Sequence, residues 1–390
     1  MSRRPIALSP DLLRLQNEGY DIHVRGGFLL VENVPYVDSD RQVKLGTLIS
    51  KLNLSGDKAN KPNDHVAHWI GNHPCHADGA KIRSIENGAA SQDFGHGIRS
   101  SFTFSAKADY RDYHHKMTTY IGRITGEATK IDPKATARIY PAIPIEGDES
   151  VFKYVDTATS RAGIGAVNAK LVGKRIGIAG MGGTGAYVLD FAAKTHVAQI
   201  HIADGDDFSQ HNAFRAPGAP SLEELQARPH KVPYFAKLYG NMRNGIVAHD
   251  AYLDESNLHV FDGLDFVFVC LDRGPIKKIL VARLTENGTP FIEVGMGVVL
   301  GEDRLSGIVR TTTSTPDTRG QAAPHISYSD DDGEVNEYTS NIQIAELNAL
   351  NAAMAVIRFK KHFGLIEDGR SEWYSGYSLR TGEVVTEGAK

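Results

Sequence analysis

The run Gly180-Met181-Gly182-Gly183-Thr184-Gly185 carries the plainest chemical implication in this sequence. Glycines at these spacings let the backbone turn tightly and approach a ligand closely. A helix that begins in such a turn offers unpaired N–H groups to a phosphate. Asp204 ends the next strand-like stretch, about where an acidic residue meets a ribose in dinucleotide-binding sheets. Asp206, Asn212, Arg215 and Lys231 follow. Guanidinium and ammonium groups suit phosphate oxygens. Asp272 closes the apolar run 266–271, and a carboxylate at a strand end can hold Mg²⁺ on phosphates. A glycine turn alone implies an NAD-dependent oxidoreductase by default. Clustered Asn, Arg, Lys and Asp exceed what hydride transfer needs and fit a triphosphate. Taken singly, Arg215 and Lys231 also read as solvated surface charge, and Asp272 as a helix N-cap.

The elements that must position these residues are legible from residue 173 onward. Strand-like runs at 175–179, 199–203, within 261–271 and at 290–294 alternate with helical patterns at 186–194 and 276–287. That alternation indicates an α/β, doubly wound, Rossmann-like domain with a parallel sheet. A long helical pattern spans 342–363, closed by Gly364 after three basic residues. The Asp330–Asp332 run reads as an exposed loop. The first 150 residues read as a smaller α+β domain. Ser9 precedes a short helix at 10–17 with Pro at its first position. Strands at 20–24 and 28–34 flank a Gly26-Gly27 turn, 43–52 has helical spacing, 53–100 has no clear period, 102–104 reads as strand and 114–123 as helix. The prolines between 133 and 144 mark a connection, so the chain divides into 1–150 and 151–390.

Composition sets the outer limits. The chain has 390 residues, with 43 Lys and Arg against 47 Asp and Glu, a net charge of -4 that gives no sign of a nucleic-acid or membrane surface. Two cysteines, Cys75 and Cys270, exclude a disulfide-dense scaffold and a zinc ribbon. The start, MSRRPIALSPDLL, lacks the apolar segment of a signal peptide, and no apolar run approaches a membrane span, so a cytoplasmic location is expected.

From about 160 to 363 the sequence resembles the ThiF/MoeB/HesA family of ATP-dependent adenylyltransferases, which includes the activating enzymes of ubiquitin. The family's G-x-G-G-x-G stands here as Gly180 to Gly185, its D-x-D as Asp204-Gly205-Asp206, and its N-x-x-R as Asn212-Ala213-Phe214-Arg215. Its downstream lysine matches Lys231 and its later aspartate Asp272. The resemblance implies a ThiF-like domain in which Asp206, Asn212, Arg215 and Lys231 bind ATP and Asp272 positions Mg²⁺. Arg161 matches an arginine that reaches the partner subunit's phosphates in the family's homodimers, at a shorter spacing than usual. The implied reaction is adenylation of a carboxylate, typically the C-terminal glycine of a ubiquitin-like protein, with release of pyrophosphate. Residues 1–150 resemble an uncharacterised domain of bacterial family members associated with ubiquitin-like conjugation operons. Implied partners are a ubiquitin-like protein and a conjugating enzyme. Two other readings stay open: activation of a small or RNA-linked carboxylate, and an inactive scaffold that binds a modifier.

The pattern breaks at the cysteines. Many family members carry an acceptor cysteine after the adenylation core, and here 293–333 has none. Thr311-Thr312-Thr313-Ser314-Thr315 stands where an acceptor loop is expected, so either the enzyme stops at the adenylate, or a hydroxyl takes the acyl group, or the run is a plain loop. Cys270 reads as a buried apolar thiol. Cys75 sits in a cluster with His65, His68, His73 and His76. Three readings compete: a zinc-type site, a reactive thiol that accepts an acyl group, and a polar loop of hydrogen-bonded histidines.

Overall fold

The computed structural model describes residues 4–145, 150–272, 274–328 and 342–389. The chain forms two compact units, one of residues 1–143 with 160–163, the other of 144–159 with 164–390. The break at 143–144 falls in the proline-spaced stretch. The Asp330–Asp332 run lies outside the described residues.

The first unit begins with two short helices, α1 (Arg4–Leu8) and α2 (Pro10–Asn17). Ser9 stands at the N-cap of α2, yet its hydroxyl is spent elsewhere, accepting the Ala59 N–H at 2.7 Å. An antiparallel sheet follows, built from β1 (Asp21–Arg25), β2 (Phe28–Val37), β3 (Val43–Lys51), β4 (Val66–Ile70), β5 (Glu86–Gly88) and β6 (Phe102–Ser105) in the order β1-β2-β3-β4-β6-β5. The β1–β2 turn is Gly26-Gly27, both at positive φ. A 19-residue helix, α3 (Tyr113–Ile131), packs Met117, Tyr120, Ile121 and Ile124 into the same core as Leu29, Leu48, Trp69 and Phe104.

Segment 43–52 is a strand, not the helix its spacing suggests. Strand β3 pairs with β2 on one side and β4 on the other. Its Leu48 enters the main core, while Ile49 joins Leu30 and Ile98 on the opposite face. A strand buried on both faces loses its two-residue alternation, and a short apolar run then mimics helical spacing. Gly46 completes this packing, because a Cβ there would stand 2.3 Å from the Trp69 ring. Trp69 is fully buried, donates its indole N–H to the Asn72 carbonyl at 2.8 Å and meets Tyr36 edge-on. Trp69→Ala is expected to lower stability by ~3–5 kcal/mol, read as a lower urea midpoint for the transition reporting on this unit.

The second unit carries an eight-stranded sheet. Its strands are β7 (Arg175–Ala179), β8 (Gln199–Asp204), β9 (Ile246–Asp250), β10 (Phe266–Val269), β11 (Phe291–Leu300), β12 (Leu305–Ser314), β13 (Tyr374–Ser378) and β14 (Val384–Glu387). Their order is β9-β8-β7-β10-β11-β12-β13-β14. The first five run parallel, and the last three extend the sheet with antiparallel pairings. Helices α4 (Gly183–Ala193), α5 (Lys231–Gly240) and α7 (Ala345–His362) cover one face, with Val188, Phe235 and Phe359 packed on Ile178, Ile202 and Phe268. Helix α6 (Gly274–Glu286) covers the other, with Leu280 and Leu284 on Val267 and Val269. This is the doubly wound, Rossmann-like arrangement expected from the sequence, with an antiparallel extension that was not.

Thr311 to Ser314 end strand β12 rather than forming a loop. All four are at most 7% exposed, and the strand is paired on both sides. β-branched threonines suit a sheet as well as a turn, so the hydroxyl content misled. These four buried hydroxyls give no open acceptor position, and Thr315, half-buried just past the strand, pairs its hydroxyl with that of Thr318 at 3.0 Å. Among the described residues no helix is long and apolar enough to cross a membrane.

Candidate functional site

The site forms at the carboxyl ends of β7, β8, β10 and β11, where open α/β sheets bind ligands. Helix α4 starts inside the glycine run, at Gly183, three residues earlier than its apolar pattern suggests. Gly182 is its N-cap and makes no side-chain cap bond, so the first turn presents its N–H groups uncapped. Gly180 lies at φ +92, and a Cβ at Gly185 would stand 1.9 Å from the Gly180 carbonyl oxygen. By contrast, a Cβ at Gly182 would meet nothing within 4 Å. The turn is therefore closed on itself at Gly180 and Gly185 and open at Gly182.

Asp204 holds this turn. Its carboxylate accepts the Met181 N–H at 2.7 Å and the Asp206 N–H at 2.8 Å. Lys231, 5% exposed at the first turn of α5, donates to Asp206 at 2.7 Å and lies 3.4 Å from both Asp204 oxygens. Asp204 is thus committed to the backbone and to Lys231, leaving the more exposed Asp206 to meet solvent. Asn212 is buried and caps its own short helix, accepting the Ser209 N–H at 2.8 Å. Asn212 Nδ2 and Arg215 Nε are buried donors with no partner among the described residues. Asn348 of α7 ties these parts together, accepting from the Thr184 hydroxyl at 3.0 Å and donating to the Arg215 carbonyl at 3.1 Å. The His211 imidazole is held below its usual range by burial and by the Arg215 and Lys231 charges.

A cavity of about 720 Å³ brings together Gly180, Gly182, Gly183, Asp204, Asp206, Arg215, Lys231 and the exposed carboxylate of Asp272. Gly185 and Asn212 stand behind this lining. Arg161 belongs to the first unit, where its guanidinium donates to the Asn17 carbonyl at 2.9 Å and lies 5.1 Å over Tyr140.

Sequence reasoning missed the far wall. Glu293, fully buried in β11, accepts from Lys277 Nζ at 3.1 Å and from Arg310 Nη1 at 2.9 Å, and both cations line the cavity. Asn351 donates to the Gly295 carbonyl at 3.1 Å. The signal was a carboxylate inside an apolar run, FIEVG, which a buried strand tolerates only with a cation partner.

The two cysteines are not activated. Cys270 follows β10 and lines the cavity, so it is half-buried rather than the core thiol expected, and its thiol is pushed up by desolvation and by the Glu293 carboxylate. Cys75 is 1% exposed, donates to the His73 carbonyl at 3.3 Å and is likewise pushed up, by burial and then by Asp38. The reading of Cys75 as an imidazolium-activated acyl acceptor therefore fails on its surroundings, because burial and a carboxylate both favour the thiol. The zinc-type cluster also does not assemble. Nδ1 of His68 pairs with the Thr103 hydroxyl, Nδ1 of His73 with the Pro74 carbonyl, and Nδ1 of His76 with Glu127, while the His65 carbonyl accepts from Tyr120. Among the described residues, the one group of three potential ligands within 4.8 Å of one another is Asp21, His23 and Glu32 on the β1–β2 hairpin. A raised thiol has less thiolate at a given pH. Both cysteines should thus react with iodoacetamide at pH 8 at least tenfold more slowly in the native protein than in urea, as mass spectrometry of the alkylated chain would show.

Two family models match the chain: a domain of unknown function (DUF6791) over residues 10–157, and the ThiF family over residues 160–359, a little over half the sequence. No curated protein matches. Among solved structures, Escherichia coli MccB with succinimide is similar at TM-score 0.45 and 18% identity, over 57% of this chain and 66% of that one. The microcin C7 biosynthetic enzyme MccB in complex with N-formylated MccA gives 0.46 and 17%, over 57% and 66%. PaaA gives 0.43 and 16%, over 58% and 76%. The chain spans just under two thirds of the length of the two MccB structures.

Proposed function

The chain belongs to the ThiF family, and from that premise we propose that it adenylates a carboxylate with ATP. The observation that carries this reading is the cavity in which an uncapped helix N-terminus, an open Gly182, Arg215 and Lys231 converge. That constellation fits a triphosphate: free N–H groups, a close backbone approach and two cations, with the unpartnered Arg215 Nε and Asn212 Nδ2 as further donors. The cavity volume suits a nucleotide with a substrate end beside it. Asp206, held by Asp204 and Lys231, would meet the ribose hydroxyls.

Asp272 fits Mg²⁺, which binds through one or two carboxylates with phosphate oxygens and water completing the shell. When bound, Mg²⁺ would neutralise phosphate charge. Otherwise the chain positions groups that already react: a carboxylate oxygen attacks the α-phosphorus, a C–O–P linkage forms, and the bond to the β-phosphate breaks as pyrophosphate leaves with its electron pair. No proton has to move, so no general base is required, and rate comes from positioning and charge.

The carboxylate we assign is the C-terminus of a ubiquitin-like protein, handed on to a separate conjugating enzyme because neither cysteine is an activated thiol. The active form in this reading is a homodimer in which Arg161 reaches the partner subunit's phosphates. The test is incubation with ATP and a ubiquitin-like protein ending in glycine, followed by hydroxylamine. A C-terminal hydroxamate that requires ATP supports the reading. Its formation on a small acid but on no protein terminus would move the substrate to that class.

A further inference from the structure

The phosphate-binding reading leaves a buried ion cluster without a task. Glu293 is fully buried, and two cations, Lys277 and Arg310, bind its one carboxylate. One carboxylate balances one cation, so among the described residues the cluster carries a surplus positive charge in a wall of low exposure. Burying such a surplus is costly unless an anion completes it. Two of the three Lys277 ammonium protons go to Glu293 and to the Ser327 carbonyl at 3.1 Å, which leaves one donor without a partner among the described residues. Glu293 does not line the cavity, but Lys277 and Arg310 do. The surplus therefore faces inward.

An anion completing the cluster would lie apart from the phosphate on the glycine turn. The turn follows β7, and Glu293 lies on β11, two strands away, roughly 10 Å at ordinary strand spacing. A neighbouring group sharpens its chemistry. Asn351 is 1% exposed and lines the cavity, and with its amide spent on Gly295 its Oδ1 has no partner among the described residues. An unpartnered acceptor beside surplus donors suits a ligand that brings both an anion and an N–H. A peptide C-terminus has both, whereas pyrophosphate has no N–H. Gly297, with open space where its Cβ would be, leaves room for such a chain along β11.

We propose that Lys277 and Arg310, held by Glu293, form the subsite that receives the attacking carboxylate, with Asn351 accepting the amide N–H next to it. This rests on the adenylation reading and adds where the second substrate binds. The subsite orients one carboxylate oxygen toward the α-phosphorus, and it changes no protonation state.

The experiment uses the full chain saturated with the non-hydrolysable analogue AMPCPP. It is titrated calorimetrically with a peptide ending in Gly-Gly as the free acid and with the same peptide as its C-terminal amide. The wild type should favour the acid about tenfold or more, the scale of a charge-assisted hydrogen bond. Lys277→Gln and Arg310→Gln should each abolish most of that preference, and Lys277→Arg should keep it. AMPCPP binding by each variant reports that it is folded. Equal affinity for acid and amide in the wild type, absence of binding to both included, overturns the subsite, as does a preference that survives in a folded Lys277→Gln or Arg310→Gln variant. Pyrophosphate exchange measured separately keeps the two readings apart. Acid preference without exchange retains the subsite and rejects adenylation, and exchange with a preference indifferent to Lys277 and Arg310 does the reverse.

Discussion

Gly182→Ala should fold like the wild type and lose nucleotide affinity by about two orders of magnitude, whereas Gly185→Ala should lose both fold stability and nucleotide. The two positions are three residues apart and differ in what a methyl group meets. At Gly185 it would lie 1.9 Å from the Gly180 carbonyl oxygen, and backbone cannot yield as a flexible side chain does. Overpacking of this kind costs ~1–3 kcal/mol or more. At Gly182 the backbone is extended, with φ -70 and ψ -158, a conformation any residue adopts, and the space ahead is empty. A methyl group there costs the free protein little and occupies the place where a phosphate must come against the uncapped N–H groups. Thermal melting paired with ATP titration reads both effects. A Gly182→Ala variant that binds ATP as tightly as the wild type would remove the phosphates from this turn.

Lys231→Met carries the second large effect. Its ammonium group is the cation for Asp204 and Asp206, and Asp204 in turn holds the Met181 and Asp206 N–H groups. Without the lysine, the Asp204 carboxylate stays in a nearly closed site with no counter-charge. Removing one member of a buried pair costs ~3–5 kcal/mol, and the half-exposed Asp206 places this case near the lower end. Pyrophosphate exchange should fall at least a hundredfold, since a phosphate cation and the turn's brace are lost together. Lys231→Arg keeps the charge and should recover most of the stability. If Lys231→Met melts at the wild-type urea midpoint, the pairing with Asp204 and Asp206 is not a structural link.

The phosphate half of the site was legible because its residues are consecutive motifs on a regular α/β rhythm. Gly180 to Gly185, Asp204 and Asp206 lie within one strand–turn–helix–strand unit, where local pattern and tertiary position coincide. The far wall was not legible, because Lys277, Glu293, Arg310 and Asn351 come from four elements and meet only when β11, β12, α6 and α7 pack. Their one local trace is the charge in FIEVG. Residues 43–52 and the Thr311–Ser314 run misled for a shared reason. Both are strands hydrogen-bonded on two sides, and burial on both faces erases the alternation that marks a strand, so β3 mimics a helix and β12 a polar loop. At Cys75, a rich local composition suggested chemistry, but the His68, His73 and His76 rings are each turned to a partner of their own. Spacing of ligand types says little where no regular element sets their direction.

Attack of a carboxylate on the α-phosphorus of ATP is read out by the exchange of labelled pyrophosphate into ATP. It should be catalysed by this chain and depend on an added ubiquitin-like protein with a free C-terminal carboxylate. Exchange is expected with the free acid, none with the C-terminally amidated form, and loss in Arg215→Ala. Label incorporation that is absent with every carboxylate offered, while ATP still binds, would contradict attack on the α-phosphorus.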